Sequence, residues 1–188
     1  LIRYGEPSQE RPGLFDNFGK LRDLSQAIPD LTGEYLMPDS IQRLSELDVN
    51  GLPEVKGNPR IGPGVSQMGK LICMGLNYSD HAAESGMQVP PEPVIFFKAT
   101  SAVCGPNDNL IIPRGSTKTD WEVELGVVIG KPGKYLTEEE ALDHVAGYCV
   151  IHDVSERAYQ LERSGQWVKG KSCDTFGPIG PWLVTTDE

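Results

Sequence analysis

The sequence predicts a mixed α/β fold with predominant β structure and short helices, in which a small N-terminal α+β domain precedes a larger part. Three observations carry this. Trp121-Glu122-Val123-Glu124-Leu125-Gly126-Val127-Val128-Ile129-Gly130 is a β-branched, apolar run that ends in Gly130-Lys131-Pro132-Gly133, the pattern of a strand closed by a turn. Further apolar runs of strand length recur at 70–76, 93–98, 109–113, 145–151 and 176–185, with short helical stretches between several of them. Between 51 and 64 half of the residues are Gly or Pro, a boundary or irregular connection that divides the chain into 1–66 and 67–188.

In chain order, Leu14-Phe15-Asp16 and Lys20-Leu21-Arg22 flank Asn17-Phe18-Gly19, a hairpin with Gly at its turn. Asp39 or Ser40 caps a short helix whose Ile41, Leu44 and Leu47 recur at helical spacing. The strand 70–76 runs into a helix with Asn77 or Ser79 as N-cap and Gly86 as its stop. Pro90-Pro91-Glu92-Pro93 is a stiff, extended loop, and the strand after it ends on Lys98. Leu125-Gly126-Val127-Val128-Ile129 suggests burial on both faces of the central strand. Thr137 and Glu140 form a capping box for a helix on which His144 is solvated. The strand 145–151 ends on His152-Asp153, and a helix over 155–163 follows until Gly165 breaks it. Lys171 lies between small residues that allow a close approach.

Composition narrows the function. The chain has 188 residues with 38% apolar and 23% charged content, enough for a packed core. A net charge of −10 argues against nucleic acid or an anionic membrane as partner, while leaving a small anionic substrate possible. No apolar run approaches the ~20 residues of a membrane span, and the first residues do not read as a signal peptide. Four cysteines, Cys73, Cys104, Cys149 and Cys173, are scattered singly, as free thiols of a reducing, cytoplasmic compartment would be.

Chemistry is concentrated at a few positions. Glu122 and Glu124 stand at i, i+2, so a strand puts both carboxylates on one face. Like charges on a buried face repel and are costly to desolvate; a divalent cation compensates most directly, and an edge strand with both facing water is the alternative. Asp153 is placed to be a third carboxylate ligand or the N-cap of the helix after it. His81 and Glu84, at i, i+3, share a helix face, either as an oriented imidazole base or as an exposed surface pair. Arg157 and Gln160 share a face in the same way, one turn from Asp153.

This set resembles the fumarylacetoacetate hydrolase family. The likeness rests on Gly75-Leu76-Asn77-Tyr78 with His81 and Glu84, Phe96-Phe97-Lys98, Asp120-Trp121-Glu122-Val123-Glu124-Leu125, Asp153-Val154-Ser155 with Arg157 and Gln160, and Gly170-Lys171-Ser172 through Gly180-Pro181. Asp120-Trp121-Glu122 and Lys171-Ser172-Cys173-Asp174-Thr175-Phe176 are most similar to its bacterial sugar-acid branch, the 2,4-diketo-3-deoxy-L-fuconate hydrolases. The resemblance implies a fumarylacetoacetase-type β-roll or barrel over 67–188, lacking its C-terminal part in this chain, and a homodimer. It implies Mg²⁺ or Mn²⁺ on Glu122, Glu124 and Asp153. It makes His81, oriented by Glu84, the general base and Lys171 a catalytic cation. Arg157 and Gln160 hold the substrate, Lys98 supports the site, and the His81 helix acts as a lid. The implied activity is hydrolysis of a C–C bond in a β-diketo acid of acylpyruvate type, a 2,4-diketo-3-deoxy sugar acid, to pyruvate and a second acid. Decarboxylation, keto–enol isomerisation and ureidoglycolate cleavage are the alternatives on the same metal site. A non-enzymatic binding module would follow if the three carboxylates failed to converge.

Overall fold

The computed structural model describes residues 1–188 except Ser85 and Met87, and only the backbone of His81, Ala82 and Glu84. At the N-terminus β1 (Ile2–Tyr4), β2 (Arg11–Phe15) and β3 (Leu21–Asp23) form an antiparallel sheet in which Phe15 faces Leu21. The expected hairpin is built by Asp16, whose Oδ1 accepts from the Phe18 and Lys20 N–H groups, and by Gly19, which takes φ +73° without a Cβ penalty. The following helix, α1 (Pro38–Ser45), departs from expectation at its start. Met37 is its N-cap residue and makes no side-chain cap bond. Pro38 opens the first turn, where its fixed φ suits the helix and its missing N–H costs nothing. Ser40 donates instead to the Glu34 carbonyl.

The rest of the chain is organised by a two-stranded ribbon, a four-stranded sheet and a small two-stranded pair. β4 (Leu71–Gly75) leads through α2 (Ser79–Glu84) to β5 (Val94–Lys98), and the two strands form a ribbon. Then come β6 (Val103–Cys104), β7 (Thr119–Asp120), β8 (Val123–Ile129), α3 (Glu138–Ala141), β9 (Val145–His152), β10 (Ser155–Glu156), α4 (Arg157–Leu161), α5 (Val168–Lys171) and β11 (Gly177–Thr185). They yield a four-stranded sheet of order β6-β11-β9-β8, with β6 parallel to β11 and the other pairs antiparallel, and a small β10-β7 pair beside it. The strand-rich architecture agrees with the sequence.

Four local expectations are corrected. Residues 109–113 join no sheet: Ile111 and Ile112 are exposed, the Ile111 N–H is taken by Thr175 Oγ1, and β6 supplies the strand on that edge. The helix after Asp153 is confined to α4 because 155–156 pair with β7, and Glu156, not Asp153, is its N-cap. His144 is 7% exposed, its Nδ1 lying 2.9 Å from the Lys131 carbonyl, because the turn after β8 folds back over it. Finally, β8 is not covered on both faces. Val123, Leu125 and Ile129 are 68%, 61% and 61% exposed, while Glu124, Gly126 and Val128 point the other way.

The main buried cluster joins Leu24, Ile28, Leu31, Leu36 and Leu44 to Ala146 of β9 and Leu183 of β11. Each buried Leu or Ile side chain contributes about 1.5–3 kcal/mol, so the cluster ties the N-terminal segment to the four-stranded sheet. A hydrogen bond of 2.8 Å from the Leu183 N–H to the Leu1 carbonyl continues that junction. No helix among the described residues is long and apolar enough to cross a membrane.

Candidate active site

The β8–β9 ladder brings the first two carboxylates together. Val123 faces His152 in register, so Glu122 and Asp153 stand at the same end of the pair, and the Asp153 N–H donates to the Glu122 carbonyl at 3.0 Å. Their side chains meet at the Lys171 ammonium, which is 2.8 and 2.9 Å from the two Glu122 oxygens and 2.7 Å from Asp153 Oδ2. Lys98 takes the other Asp153 oxygen at 2.6 Å and donates to the Val154 carbonyl at 3.0 Å. On the far side of Glu122, Arg157 approaches Oε1 at 2.5 Å, and the Ser155 hydroxyl donates to the same oxygen at 3.1 Å. Arg157 also donates from Nε and Nη2 to Asp120 Oδ2 at 3.0 and 2.9 Å, and from Nη1 to Gln160 Oε1 at 3.1 Å.

Charge therefore alternates along one chain of contacts: Lys98, Asp153, Lys171, Glu122, Arg157, Asp120. Alternation is how a buried cluster of this size avoids stranded charges, each of which would cost several kcal/mol by itself. Burial pushes the Lys98 ammonium below its ordinary pKa, against the attraction of Asp153. The hydrogen bonds from Arg157 hold the Asp120 carboxyl below the usual carboxylate range.

The β4–β5 ribbon floors the site. Phe96 lies with its ring centroid 5.0 Å from Lys171 Nζ and meets Trp167 edge-on at 5.4 Å. Gly75 leaves room for that indole, since a Cβ there would come within 2.7 Å of Trp167. The Cys73 thiol, also on the inner face, is pushed up to about 11, chiefly by burial and then by the Asp153 charge, with Glu124 acting in the same direction. Glu124 itself is half-buried opposite Ile151.

Of the residues singled out from sequence, Glu122, Asp153, Lys171, Lys98, Arg157 and Gln160 form one contact network. The side chains of His81 and Glu84, and with them the lid expectation, lie outside the described residues; the backbone places both on α2, as expected. Among the described residues, no three or more His, Cys, Asp or Glu side chains gather as a metal-binding group. The donor set nevertheless fits a hard divalent cation, because Glu122 and Asp153 aim three carboxylate oxygens at one point that already holds a positive charge. Sequence reasoning gave no role to Asp120, Ser155 or Glu156. The sequence puts Glu156 inside a helix over 155–163, so its place as the N-cap of α4 comes from the structure.

The chain is similar to known proteins along its length. Residues 70–188 match the model of the fumarylacetoacetate (FAA) hydrolase C-terminal family. A Burkholderia multivorans protein, provisionally named a hydrolase, is 63% identical over 188 residues, covering 100% of this chain and 67% of that protein. Among solved structures, a fumarylacetoacetate hydrolase from Exiguobacterium antarcticum is 34% identical with a TM-score of 0.78, over 99% of this chain and 66% of that one. A 5-carboxymethyl-2-hydroxymuconate delta-isomerase from Mycobacterium smegmatis is 29% identical with a TM-score of 0.70, over 99% and 66%. The chain thus spans about two thirds of the length of these relatives.

Proposed function

The chain belongs to the fumarylacetoacetate hydrolase family, and from that premise we propose that it is a metal-dependent hydrolase. It cleaves a C–C bond in an acylpyruvate-type β-diketo acid, a 2,4-diketo-3-deoxy sugar acid, to give pyruvate and a second acid. The observation that carries the reading is the convergence of Glu122 and Asp153 on one cation position, with Lys171, Arg157 and Gln160 in the same network. Glu122 and Asp153, with Glu124 as the proposed third ligand, would hold a divalent Mg²⁺ or Mn²⁺. When bound, that ion supplies Lewis-acid polarisation of a keto oxygen and stabilisation of enolate charge.

The chain's own groups do the rest. Lys171 and Arg157 bind and orient the substrate carboxylate and the developing oxyanion, and Gln160 fixes the Arg157 fork. His81, oriented by Glu84, accepts a proton from water as the water oxygen bonds to the distal keto carbon. The bond between that carbon and its CH₂ neighbour then breaks. The leaving enolate takes a proton to become the methyl group of pyruvate, and the distal fragment leaves as a carboxylic acid. Lys98 holds Asp153 in place through its hydrogen bond to Oδ1. Two further proposals accompany this reading: a homodimer, which the exposed apolar face of β8 supports, and a cytoplasmic location, which the four free cysteines support.

An isomerase named among the solved neighbours supports a second reading, keto–enol isomerisation on the same groups. Pyruvate release separates them. The hydrolase reading expects Mg²⁺-dependent pyruvate formation from a panel of acylpyruvates, followed by coupled lactate dehydrogenase assay. An ultraviolet change without pyruvate would replace it by the isomerase reading, and no turnover with either metal would remove both.

A further inference from the structure

Glu156 is fully buried, yet it takes no part in the chemistry above. Its Oε1 accepts the Ala158 N–H at 3.1 Å and caps α4. Its Oε2 turns the opposite way and accepts from the Ser116 hydroxyl, the Thr119 hydroxyl at 3.1 Å and, more weakly, the Lys118 N–H at 3.4 Å. Ser116 Oγ and Thr119 Oγ1 lie 2.6 Å apart, and with one proton each the two hydroxyls fill two of the three contacts among Ser116, Thr119 and Oε2 at a time. One carboxylate therefore clasps two pieces of chain, the start of α4 and the segment that runs into Asp120 and Glu122. The backbone repeats the link, since Glu156 faces Thr119 and Ser155 faces Asp120 in the β10–β7 pair, and the Arg157 N–H donates to the Lys118 carbonyl at 2.9 Å.

The neighbours of this clasp are the groups that surround the cation position. Asp120 follows Thr119, Arg157 follows Glu156, and the two bond each other while Arg157 reaches Glu122. A helix cap alone needs only the Ala158 bond. The donors from 116–119 are surplus to that task, and the negative charge of the carboxylate strengthens their bonds to it.

We propose that Glu156 is a positioning residue: it locks segment 116–120 to α4 and thereby, through Asp120 and Arg157, sets the attitude of the Glu122 carboxylate. The inference rests on the metal-dependent reading for its affinity readout and on nothing else in it.

The test uses the full chain carrying Glu156→Gln, or Ser116→Ala with Thr119→Val, which removes the clasp but keeps the α4 cap. Hydrogen–deuterium exchange over 116–124 and Mg²⁺ titration calorimetry are measured beside thermal melting. Exchange over 116–124 rises in both variants while β9 is unchanged, and Mg²⁺ affinity falls about 10–100-fold, the range for a residue behind a metal ligand. Unchanged exchange over 116–124 in the double variant overturns the proposal. So does faster exchange with wild-type Mg²⁺ affinity, which would leave Glu156 a cap only. If the wild-type chain binds no Mg²⁺, the metal-dependent reading falls, and exchange over 116–124 by itself decides the positioning role.

Discussion

Lys171 brings its ammonium between two carboxylates with only 2% of its side chain exposed. Two negative groups that share one point need a cation there, and a protein ammonium and a divalent ion are alternative ways to supply it. Removing one partner from a buried pair leaves the other charge stranded, which costs about 3–5 kcal/mol. Lys171→Met is accordingly expected to lose roughly that much stability without metal, and to recover part of the loss when Mg²⁺ is added. Urea unfolding with and without Mg²⁺ measures it. Equal stability of variant and wild type in metal-free buffer would mean that Glu122 and Asp153 do not depend on this cation. Lys98 differs in kind: it contacts one carboxylate and a carbonyl, so it fixes Asp153 without bridging to Glu122.

Among the elements, α4 and α5 decide where the cations point, and Gly170 sets their spacing. A Cβ at 170 would press on the Glu156 carbonyl oxygen and come within 2.6 Å of Gln160 N, both backbone atoms that cannot turn aside. Gly170→Ala should push α5 off α4 and move Lys171, the next residue. The expected cost is about 1–3 kcal/mol, the usual range for overpacking, with weakened Mg²⁺ binding alongside. Chemical denaturation and metal titration on the same preparation check both. A variant with wild-type stability and affinity would show that the two helices can separate without disturbing the site. The β8–β9 ladder is the other decisive element, because its register alone puts Glu122 level with Asp153.

On the scale of the whole molecule, two sheets show the same inversion. On β8 Glu124 turns inward with Gly126 and Val128, and Val123, Leu125, Val127 and Ile129 turn out. On the β4–β5 ribbon, Ile72 faces Phe97 and Met74 faces Ile95, and all four are exposed. Apolar patches of this extent are rare on a monomer's surface. With a second copy as the proposed occupant of the β8 face, Leu125→Lys with Val127→Lys should shift the protein toward monomer while leaving its strand content by circular dichroism unchanged. Sedimentation velocity at assay concentrations reads the change. A wild-type chain that sediments as a monomer there would remove the homodimer proposal.

What the sequence determined by itself is what local periodicity and turn chemistry encode. The hairpin at 14–22, the capping box at Thr137, the strands at β4, β5, β8, β9 and β11, and the family were all legible, because each depends on residues a few positions apart. The bounds of α4 and the fate of 109–113 were not, since β7 and Thr175 compete for those backbone groups from far along the chain. The site divides in the same way. The identities of Glu122, Asp153, Lys171, Arg157 and Gln160 could be read off their motifs. That Lys171 lies between Glu122 and Asp153, and that Glu156 clasps Ser116, are facts of tertiary structure. They join residues 49 and 40 positions apart, and no local rule fixes the distance between such groups. The outward turn of the apolar residues on β8 belongs there too, because alternation tells which residues share a face, and only packing decides which face is inside.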